Sequence, residues 1–315
     1  MESMITGMLL VWYILTAGSL IFVIFDLLYQ TPTMWVMKLA WILIILYTGP
    51  VGLFLYLLAC RQPLPGTHDQ FITPHWKQAI GSMMHCVAGD ATGIILAAAL
   101  VYHFGLPNGI DLIIEYASAF VVGLLVFQAL FMKSMLGGNY LLAVRKTFFA
   151  ETVSMNMVMV GMIPTMVILM NRLSGSDDPT NPTFWGIMSL AAMVGMVTAY
   201  PINSWMVARG IKHGMMSAPS PEQASQAPDH EPSMAMPSSH ASGHEPAMDM
   251  ASSPSPGQKP AMDMAMGSMS HEAGSMGHQK AKLSPAQAIG VFLLTLICLI
   301  VAVWITSWFA ELRFS

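Results

Sequence analysis

Seven long apolar stretches constrain the fold of this chain more than any other feature of its sequence. A helix needs about 20 apolar residues to cross a bilayer, and there it satisfies its own backbone hydrogen bonds. Charged residues make up only 10% of the chain, whereas soluble domains carry roughly 25%. The sequence therefore predicts an all-α fold, a polytopic transmembrane helical bundle. The predicted spans are residues 4–28, 35–59, 76–103, 110–135, 148–171, 184–208 and 285–310.

The distribution of lysine and arginine predicts how the helices are oriented. Most basic residues flank the second, fourth and sixth links, and cytoplasmic loops carry an excess of such residues. We expect a multi-pass protein of the cell (inner) membrane, with both termini outside and the sixth link in the cytoplasm. The net charge of −4 provides no basic surface for nucleic acid. The basic residues on the predicted cytoplasmic side are Arg61, Lys77, Lys133, Arg145, Lys146, Arg209, Lys212, Lys259, Lys280 and Lys282.

The sixth link differs from the others in length and composition. It divides the chain into a six-helix membrane domain (4–208), the link itself (209–284) and a seventh helix (285–310). Pro, Ser, Ala, Gly, Met and His dominate the link, and Phe, Trp, Tyr and Val are absent from residues 210–283. A segment of this composition buries too little apolar surface to offset the entropy lost on ordering. The link is therefore predicted to be disordered.

Methionine and histidine recur through this link, the Met/His insert, in units such as Met-x-Met and Met-x-His. Thioether sulfur is a soft ligand that favours copper(I) or silver(I), and imidazole adds a second ligand type. We therefore expect the insert to bind copper(I). The alternative is a low-complexity linker in which methionine is incidental. The candidate ligands are Met234, Met236, His240, His244, Met248, Met250, Met262, Met264, Met266, Met269, His271, Met276 and His278.

The third predicted span concentrates polar and sulfur-bearing side chains at membrane depth. Met83, Cys86 and Asp90 share one helical face, and His85 lies about 100° from Cys86. Ionisable groups inside a membrane helix are costly and mark functional sites. One hypothesis is that this face holds a soft metal ion or relays protons. The alternative is a hydrogen-bonded His–Asp pair that stabilises helix packing, with nearby glycines allowing close approach.

The fifth predicted span carries a methionine stripe that follows an acidic residue, Glu151. Spacings of three and four residues place these methionines on one helical face. The stripe is either a path for a soft ion or adaptable packing, and the sequence leaves both open. In the fourth span, Glu115 and Tyr116 form either an acidic site or a solvated interfacial pair. The stripe comprises Met155, Met159, Met162, Met166 and Met170.

Three of the predicted spans contain proline inside the apolar run, at Pro50, Pro164 and Pro201. Proline removes a backbone donor and frees a carbonyl one turn earlier. Each position is therefore either a packed kink or a broken helix whose free carbonyls line a polar path.

Several short motifs occur together in the centre of the chain. They are His85-Cys86-Val87-Ala88-Gly89-Asp90, Glu115-Tyr116-Ala117-Ser118-Ala119-Phe120, Phe127-Gln128, Phe184-Trp185-Gly186, Tyr200-Pro201-Ile202-Asn203 and Arg209-Gly210-Ile211-Lys212. Through these motifs, residues 76–213 resemble an uncharacterised family of bacterial and archaeal membrane proteins, domain of unknown function 4396. Asp90 stands where the family pattern has a second cysteine. The resemblance implies a polytopic membrane protein, often associated with metals, and supplies no established activity.

The sequence contains neither a Gly-x-x-x-x-Gly-Lys-Ser/Thr nucleotide-binding loop nor a Gly-x-Ser-x-Gly motif. Enzyme chemistry and direct use of ATP are therefore not expected. The sequence favours a permease or transport-associated protein for copper(I) or silver(I), with the lipid bilayer and the metal ion as partners. A metallochaperone or a second copy of the chain is a further candidate partner. Two alternatives remain open: a membrane-anchored metal sink, sensor or assembly factor, and a carrier of a small organic or proton-linked solute.

Overall fold

The computed structural model describes residues 2–136, 138–215 and 283–310, and within them the regular elements are all helices. Residues 216–282 of the link, called the Met/His insert from here on, lie outside the described residues together with every candidate metal ligand from Met234 to His278. The helices are α1 (Glu2–Tyr29), α2 (Trp35–Ala59), α3 (His68–Ile72), α4 (His75–Val101), α5 (Asn108–Val121), a π-helical segment (Val122–Gln128), α6 (Ala129–Met135), α7 (Tyr140–Arg172), α8 (Pro182–Ala208) and α9 (Pro285–Thr306).

Seven segments in the described part of the chain are long and apolar enough to cross a membrane, which confirms the predicted helical membrane architecture. α5, the π-helical segment and α6 together form the fourth of them. Two predicted boundaries are wrong. The fifth span begins at Tyr140 rather than at residue 148, because the Asn139 side chain caps the first turn of α7 by accepting a hydrogen bond from Leu142 N. The last helix ends at Thr306 rather than at residue 310.

The second of the seven segments, α2, reverses direction in its middle. Gly49 has φ 54° and ψ −130°, a conformation that glycine adopts readily and other residues do not. Pro50 follows as the first residue of the returning arm, where its missing N–H costs no helical hydrogen bond. Of the three prolines inside predicted spans, Pro50 thus lies at a broken helix, whereas α7 and α8 continue through Pro164 and Pro201.

Contacts between the two arms establish that α2 is a hairpin. A Cβ on Gly52 would lie 3.2 Å from the Cα of Ile45, although the same two residues in a straight helix would be about 10 Å apart. The rings of Trp41 and Tyr56 pack edge to face, with centroids 5.4 Å apart. α2 therefore returns to the side from which it starts and does not cross from one end of the bundle to the other.

The hairpin changes the number of crossings between the N-terminus and the Met/His insert. Gln62, after α2, donates from Nε2 to the carbonyl oxygen of Gln30, after α1, at 2.9 Å. The links before and after α2 therefore lie on one side of the bundle. Between residue 2 and residue 215, the helices that run from one end of the bundle to the other are then α1, α4, α5–α6, α7 and α8, an odd number. A straight α2 would make that number even.

A polar group of four residues, the Asp26 network, fastens the open end of this hairpin to α1. Asp26 is 2% exposed, and its carboxylate accepts from the Tyr56 hydroxyl at 2.5 Å and the Thr31 hydroxyl at 2.9 Å. Arg61 donates from Nε to the other oxygen of Asp26 at 2.8 Å. Both oxygens of this buried acid are satisfied, which is the condition for burying a charge without a large desolvation penalty.

α4 lies at the centre of the bundle and α1 and α9 at its edge. Within the apolar window of each helix, 72% of α4 is buried against 17% of α1 and 17% of α9. α4 packs against α2, α5, the π-helical segment and α8. Because α4 is enclosed by protein rather than lipid, it is the helix on which polar side chains can be placed at membrane depth with protein ligands around them.

Candidate functional site

Cys86, in the buried middle of α4, is the hub of a group of polar side chains that we call the Cys86 cluster. Its thiol donates to Glu151 Oε2 on α7 at 3.2 Å. The Gln128 amide, at the end of the π-helical segment, donates to the sulfur at 3.1 Å, and Lys212 Nζ donates to it as well. Four separate parts of the chain thus meet at one sulfur atom. The cluster comprises Cys86, Asp90, Gln128, Glu151, Ser154, Asn203 and Lys212, all buried.

Two carboxyl groups lie side by side within this cluster. Asp90, one turn beyond Cys86 on α4, lies within hydrogen-bonding reach of Glu151 on α7. A hydrogen bond between two carboxyl groups requires that one of them carries a proton. Apart from this contact between the two acids, no donor in the described part of the chain reaches either oxygen of Asp90 or Oε1 of Glu151. Buried acceptors without donors are rare in folded proteins and call for an explanation.

Glycines allow the two carboxyl groups to come together. A Cβ on Gly123 would lie 2.1 Å from Glu151 Oε1 and 2.8 Å from Asp90 Oδ1. A Cβ on Gly89 of α4 would lie 2.7 Å from the Cα of Gly123. Gly123 lies in the π-helical segment, a type of irregular turn that often occurs at functional sites. Gly89 and Gly123 therefore let α4 and the π-helical segment approach closely, which brings acids of different helices into contact.

The opposite side of the cluster is fully hydrogen-bonded. Asn203 Oδ1, on α8, accepts from Lys212 Nζ at 2.8 Å, and its Nδ2 donates to Ser154 Oγ at 2.8 Å. Asn203 Nδ2 also lies 2.9 Å from the carbonyl oxygen of Ala199. Asn203 therefore fixes the position of the Lys212 amine next to the thiol.

His85 does not form the predicted hydrogen-bonded pair with Asp90. Neither ring nitrogen of His85 has a hydrogen-bond partner among the described residues, although the side chain is 1% exposed. Its ring packs edge to face on Phe131 of α6, with centroids 4.4 Å apart. Met83, one turn before Cys86, belongs to the hydrophobic core. The predicted site on α4 thus divides, with Cys86 and Asp90 in the cluster and His85 and Met83 among apolar side chains.

The methionine stripe continues the helical face of α7 that bears Glu151. The four methionines nearest Glu151 belong to the hydrophobic core, and Met170 packs against that core as a partly buried residue. A Cβ on Gly195 of α8 would lie 2.8 Å from Met162 Cγ, so the stripe fills the space between α7 and α8. This location fits adaptable packing and leads away from the cluster. The core members of the stripe are Met155, Met159, Met162 and Met166.

Glu115 and Tyr116 are not a solvated pair. Tyr116 donates its hydroxyl to Asn156 Oδ1 on α7 at 2.8 Å, and Asn156 Nδ2 donates to Thr295 of α9 at 3.2 Å. Glu115 is half-buried. Tyr116 therefore joins α5, α7 and α9 through a second polar contact, at Asn156, two residues after Ser154 on α7.

The pKa shifts outside the membrane-spanning segments belong to other parts of the chain. Burial raises the pKa of the Cys60 thiol at the end of the hairpin. Burial also lowers the pKa of His68 on the short helix α3. Hydrogen bonds from Thr180 lower the pKa of Asp178 in the link between α7 and α8.

Sequence reasoning placed Cys86, Asp90 and Glu151 among candidate site residues and missed the other four members of the cluster. Gln128, Asn203 and Lys212 stand in the family-like motifs, which was the one available signal for them. Ser154 carries no such signal. No group of three or more His, Cys, Asp or Glu side chains among residues 2–136, 138–215 and 283–310 is arranged to hold a metal ion. In this arrangement the Lys212 amine, rather than a third acidic or imidazole ligand, faces the thiol.

Residues 75–212 match the family described as Domain of unknown function (DUF4396), which confirms the resemblance. The matched segment contains every member of the Cys86 cluster, whereas the Asp26 network and the insert beyond residue 212 lie outside it. The family description names no activity. No curated protein and no solved structure matches the chain.

Proposed function

We propose that this chain is a multi-pass carrier of the cell membrane for a soft monovalent cation, copper(I) or silver(I), with the Cys86 cluster as its central binding site. The observation that carries the proposal is a thiol and two carboxyl groups buried together, with three carboxyl oxygens that, apart from the contact between the two acids, receive no donor from the described residues. Such acceptors have capacity for a cation. A purely structural network would be expected to satisfy them.

The chemistry of the donors favours a soft cation. Thiolate sulfur selects copper(I) over hard ions such as magnesium or calcium. Glu151 stands beside the thiol and has the proton-accepting oxygen needed to keep the sulfur anionic when a cation arrives. Beyond Glu151, the methionine face of α7 packs between α7 and α8 and lies outside the proposed binding site. The Met/His insert, in the same proposal, captures the ion before it reaches the cluster.

The proposed orientation places the N-terminus outside and the insert in the cytoplasm. The basic residues around the second, fourth and sixth links support it. The odd number of crossings before the insert is consistent with it.

The test compares silver content in cells that express the wild-type chain, Cys86→Ser, Glu151→Gln or the control Cys298→Ser. Cys298 is a free cysteine on the peripheral helix α9, so its substitution should leave transport unchanged. We expect Cys86→Ser and Glu151→Gln to abolish the difference in silver content between expressing and non-expressing cells. Wild-type behaviour in both variants would reject the proposal.

A deletion of residues 216–280 separates transport from storage. If the deletion removes all silver binding while Cys86→Ser has no effect, the chain is a membrane-anchored metal sink or sensor. If silver content is unchanged in every variant while proton flux depends on Glu151, the paired carboxyl groups of Asp90 and Glu151 serve a proton-linked carrier of another solute.

A further inference from the structure

Lys212 is a charged residue buried inside the bundle although it does not belong to a helix. α8 ends at Ala208, and Gly210, at φ 64°, turns the chain away from the helix axis. The chain then runs as irregular backbone through residues 211–215, immediately before the Met/His insert. The Lys212 side chain nevertheless is only 6% exposed, and its amine contacts Cys86 Sγ and Asn203 Oδ1.

The segment 211–215 is held in place by close packing against α4. A Cβ on Gly214 would lie 2.8 Å from the Cα of Gln78 and 1.9 Å from its Oε1. A Cβ on Gly81 would lie 3.1 Å from the backbone nitrogen of Met215, and Met215 is 2% exposed. Two glycines thus create the space in which this segment rests. A single added methyl group at either position would displace it.

The amine of Lys212 stands where a cation bound to the thiol would stand. It donates to the sulfur and to a neutral amide oxygen. The carboxyl groups of Asp90 and Glu151 also lie near this amine, and both interact electrostatically with the charge of Lys212. A lysine ammonium and a copper(I) or silver(I) ion carry the same single positive charge. Exchange of one for the other keeps the charge of the cluster constant and avoids a buried anion without a counter-charge.

We propose that Lys212 is a tethered cation that occupies the binding site of the Cys86 cluster and leaves it, together with the segment 211–215, when a soft monovalent cation binds. This inference rests on the proposed function, since it concerns the same site. The Met/His insert continues directly from the segment in sequence. Withdrawal of the segment therefore moves the residues to which the insert is joined. The apparent affinity of the site is reduced by the fraction of molecules in which Lys212 fills it.

The test measures how silver(I) protects Cys86 from alkylation in the full-length protein in lipid nanodiscs. Buffered silver(I) is added, the protein is exposed to N-ethylmaleimide, and mass spectrometry quantifies the modification of Cys86 separately from Cys60 and Cys298. Lys212→Met removes the positive charge and keeps the apolar stem. Lys212→Arg keeps the charge, and Lys146→Met removes a charge from an exposed position on α7 as a matched control.

We expect the silver(I) concentration that protects half of Cys86 to fall tenfold or more in Lys212→Met, because the competing cation is gone. Lys212→Arg and Lys146→Met should remain within about twofold of wild type, since the tethered charge is retained in both. Gly214→Ala keeps Lys212 and displaces the segment, so it should lower the protecting concentration in the same direction. This variant keeps the test valid if Lys212→Met fails to fold.

The outcomes separate this inference from the proposed function. Protection of wild-type Cys86 with no change in Lys212→Met or in Gly214→Ala overturns the tethered cation and leaves the carrier proposal standing. No protection of Cys86 by silver(I) in any variant overturns both. Tighter protection in both variants supports the inference.

Discussion

The Asp26 network and the Cys86 cluster both contain a buried acid in a helix of the membrane domain. They differ in how many hydrogen-bond donors reach its carboxyl oxygens. Asp26 has partners on both oxygens, from Tyr56, Thr31 and Arg61. Apart from their contact with each other, Asp90 receives no donor from the described residues on either oxygen, and Glu151 receives none on Oε1. A satisfied acid rigidifies the structure around it, whereas an unsatisfied one retains the capacity to bind. Burial alone therefore does not distinguish these acids, whereas the donors around each of them do.

The two sites also differ in the sequence separation of the segments that they join. The Asp26 network joins two segments that are adjacent in sequence, α1 and the hairpin, at the open end of that hairpin. The Cys86 cluster joins α4, the π-helical segment, α7 and the segment after α8, which are distant in sequence. The first can form as soon as the hairpin docks on α1. The second exists only when the whole bundle is assembled.

The largest expected effect concerns the hairpin that the Asp26 network fastens. In a cysteine-free background, Gln30→Cys and Pro63→Cys should be labelled from the same side of the membrane by an impermeant maleimide. The result is all or none, because a hairpin returns to its side of origin and a straight helix does not. Labelling from opposite sides would show that α2 crosses the membrane and does not fold back at Gly49.

Asp26→Ala should lower the free energy of unfolding by about 3 kcal/mol, because it removes a buried partner of three hydrogen bonds, one of them to a guanidinium. Thermal unfolding of the purified protein in detergent measures the change. Asp177→Asn, an exposed acid in the link between α7 and α8, is the control and should change stability little. A decrease in the free energy of unfolding below about 0.5 kcal/mol would show that Asp26 does not stabilise the fold.

Gly123→Ala should cost about 2 kcal/mol and abolish transport, because its methyl group would overlap Glu151 Oε1 at 2.1 Å. Gly290→Ala is the matched control on α9, where an added Cβ meets no atom within 4 Å. The control should be neutral or stabilising by up to about 1 kcal/mol, since alanine favours helix. Equal effects of the two substitutions would mean that contact between Asp90 and Glu151 is unimportant.

Glu151→Gln should change stability by less than about 1 kcal/mol while abolishing transport. Glutamine has nearly the same shape, and its amide can donate to an Asp90 oxygen that no donor reaches in the wild type. This separation of stability from function is the opposite of the result expected for Asp26→Ala. Unfolding temperature and cellular silver content, measured on the same variant, check it. A large loss of stability would show that Glu151, like Asp26, stabilises the fold.

The smallest expected effect is a pH dependence at His68. Burial lowers the pKa of His68 below its ordinary value of 6.5, so the unfolded chain takes up a proton at this residue more readily than the folded one. Its contribution to stability is therefore complete above pH 6.5 and is lost as the pH falls from there through the folded-state pKa. Unfolding temperatures from pH 7.5 to 5.5 should fall more in the wild type than in His68→Gln. Identical pH profiles would contradict this expectation.

Periodicity and composition predicted most of the membrane architecture. The apolar runs gave seven candidate segments, and the boundaries of α2 and the end of α8 agree with the prediction. The reversal at Gly49 was visible only as a Gly-Pro pair, which is equally typical of a kink. Proline also occurs in α7 and α8, and there the helix continues, so the residue type does not decide between the two. The decision comes from Ile45 and Gly52 fitting against each other across the arms.

The candidate site was likewise predictable only in part. Cys86, Asp90 and Glu151 were identifiable because an ionisable or thiol group in an apolar run stands out one residue at a time. Gln128, Ser154 and Asn203 are uncharged and common in helices, so their place in the cluster depends on helix rotation and depth. Lys212 was assigned to orientation rather than to the site, because a lysine after a span usually faces water. Its burial depends on Gly81 and Gly214, which leave room for the segment that carries it.

The sequence by itself determined that the chain is a helical membrane protein, since long apolar stretches and scarcity of charge recur along the whole chain and can be read without any tertiary contact. It also determined which costly groups had to be enclosed by protein. Only the tertiary structure decided which acid is satisfied and which is not, that α2 folds back, and that Lys212 meets Cys86. The reason is that donors and acceptors from distant helices become neighbours where glycines let the helices pack closely. The spacing of residues along the sequence does not predict those distances.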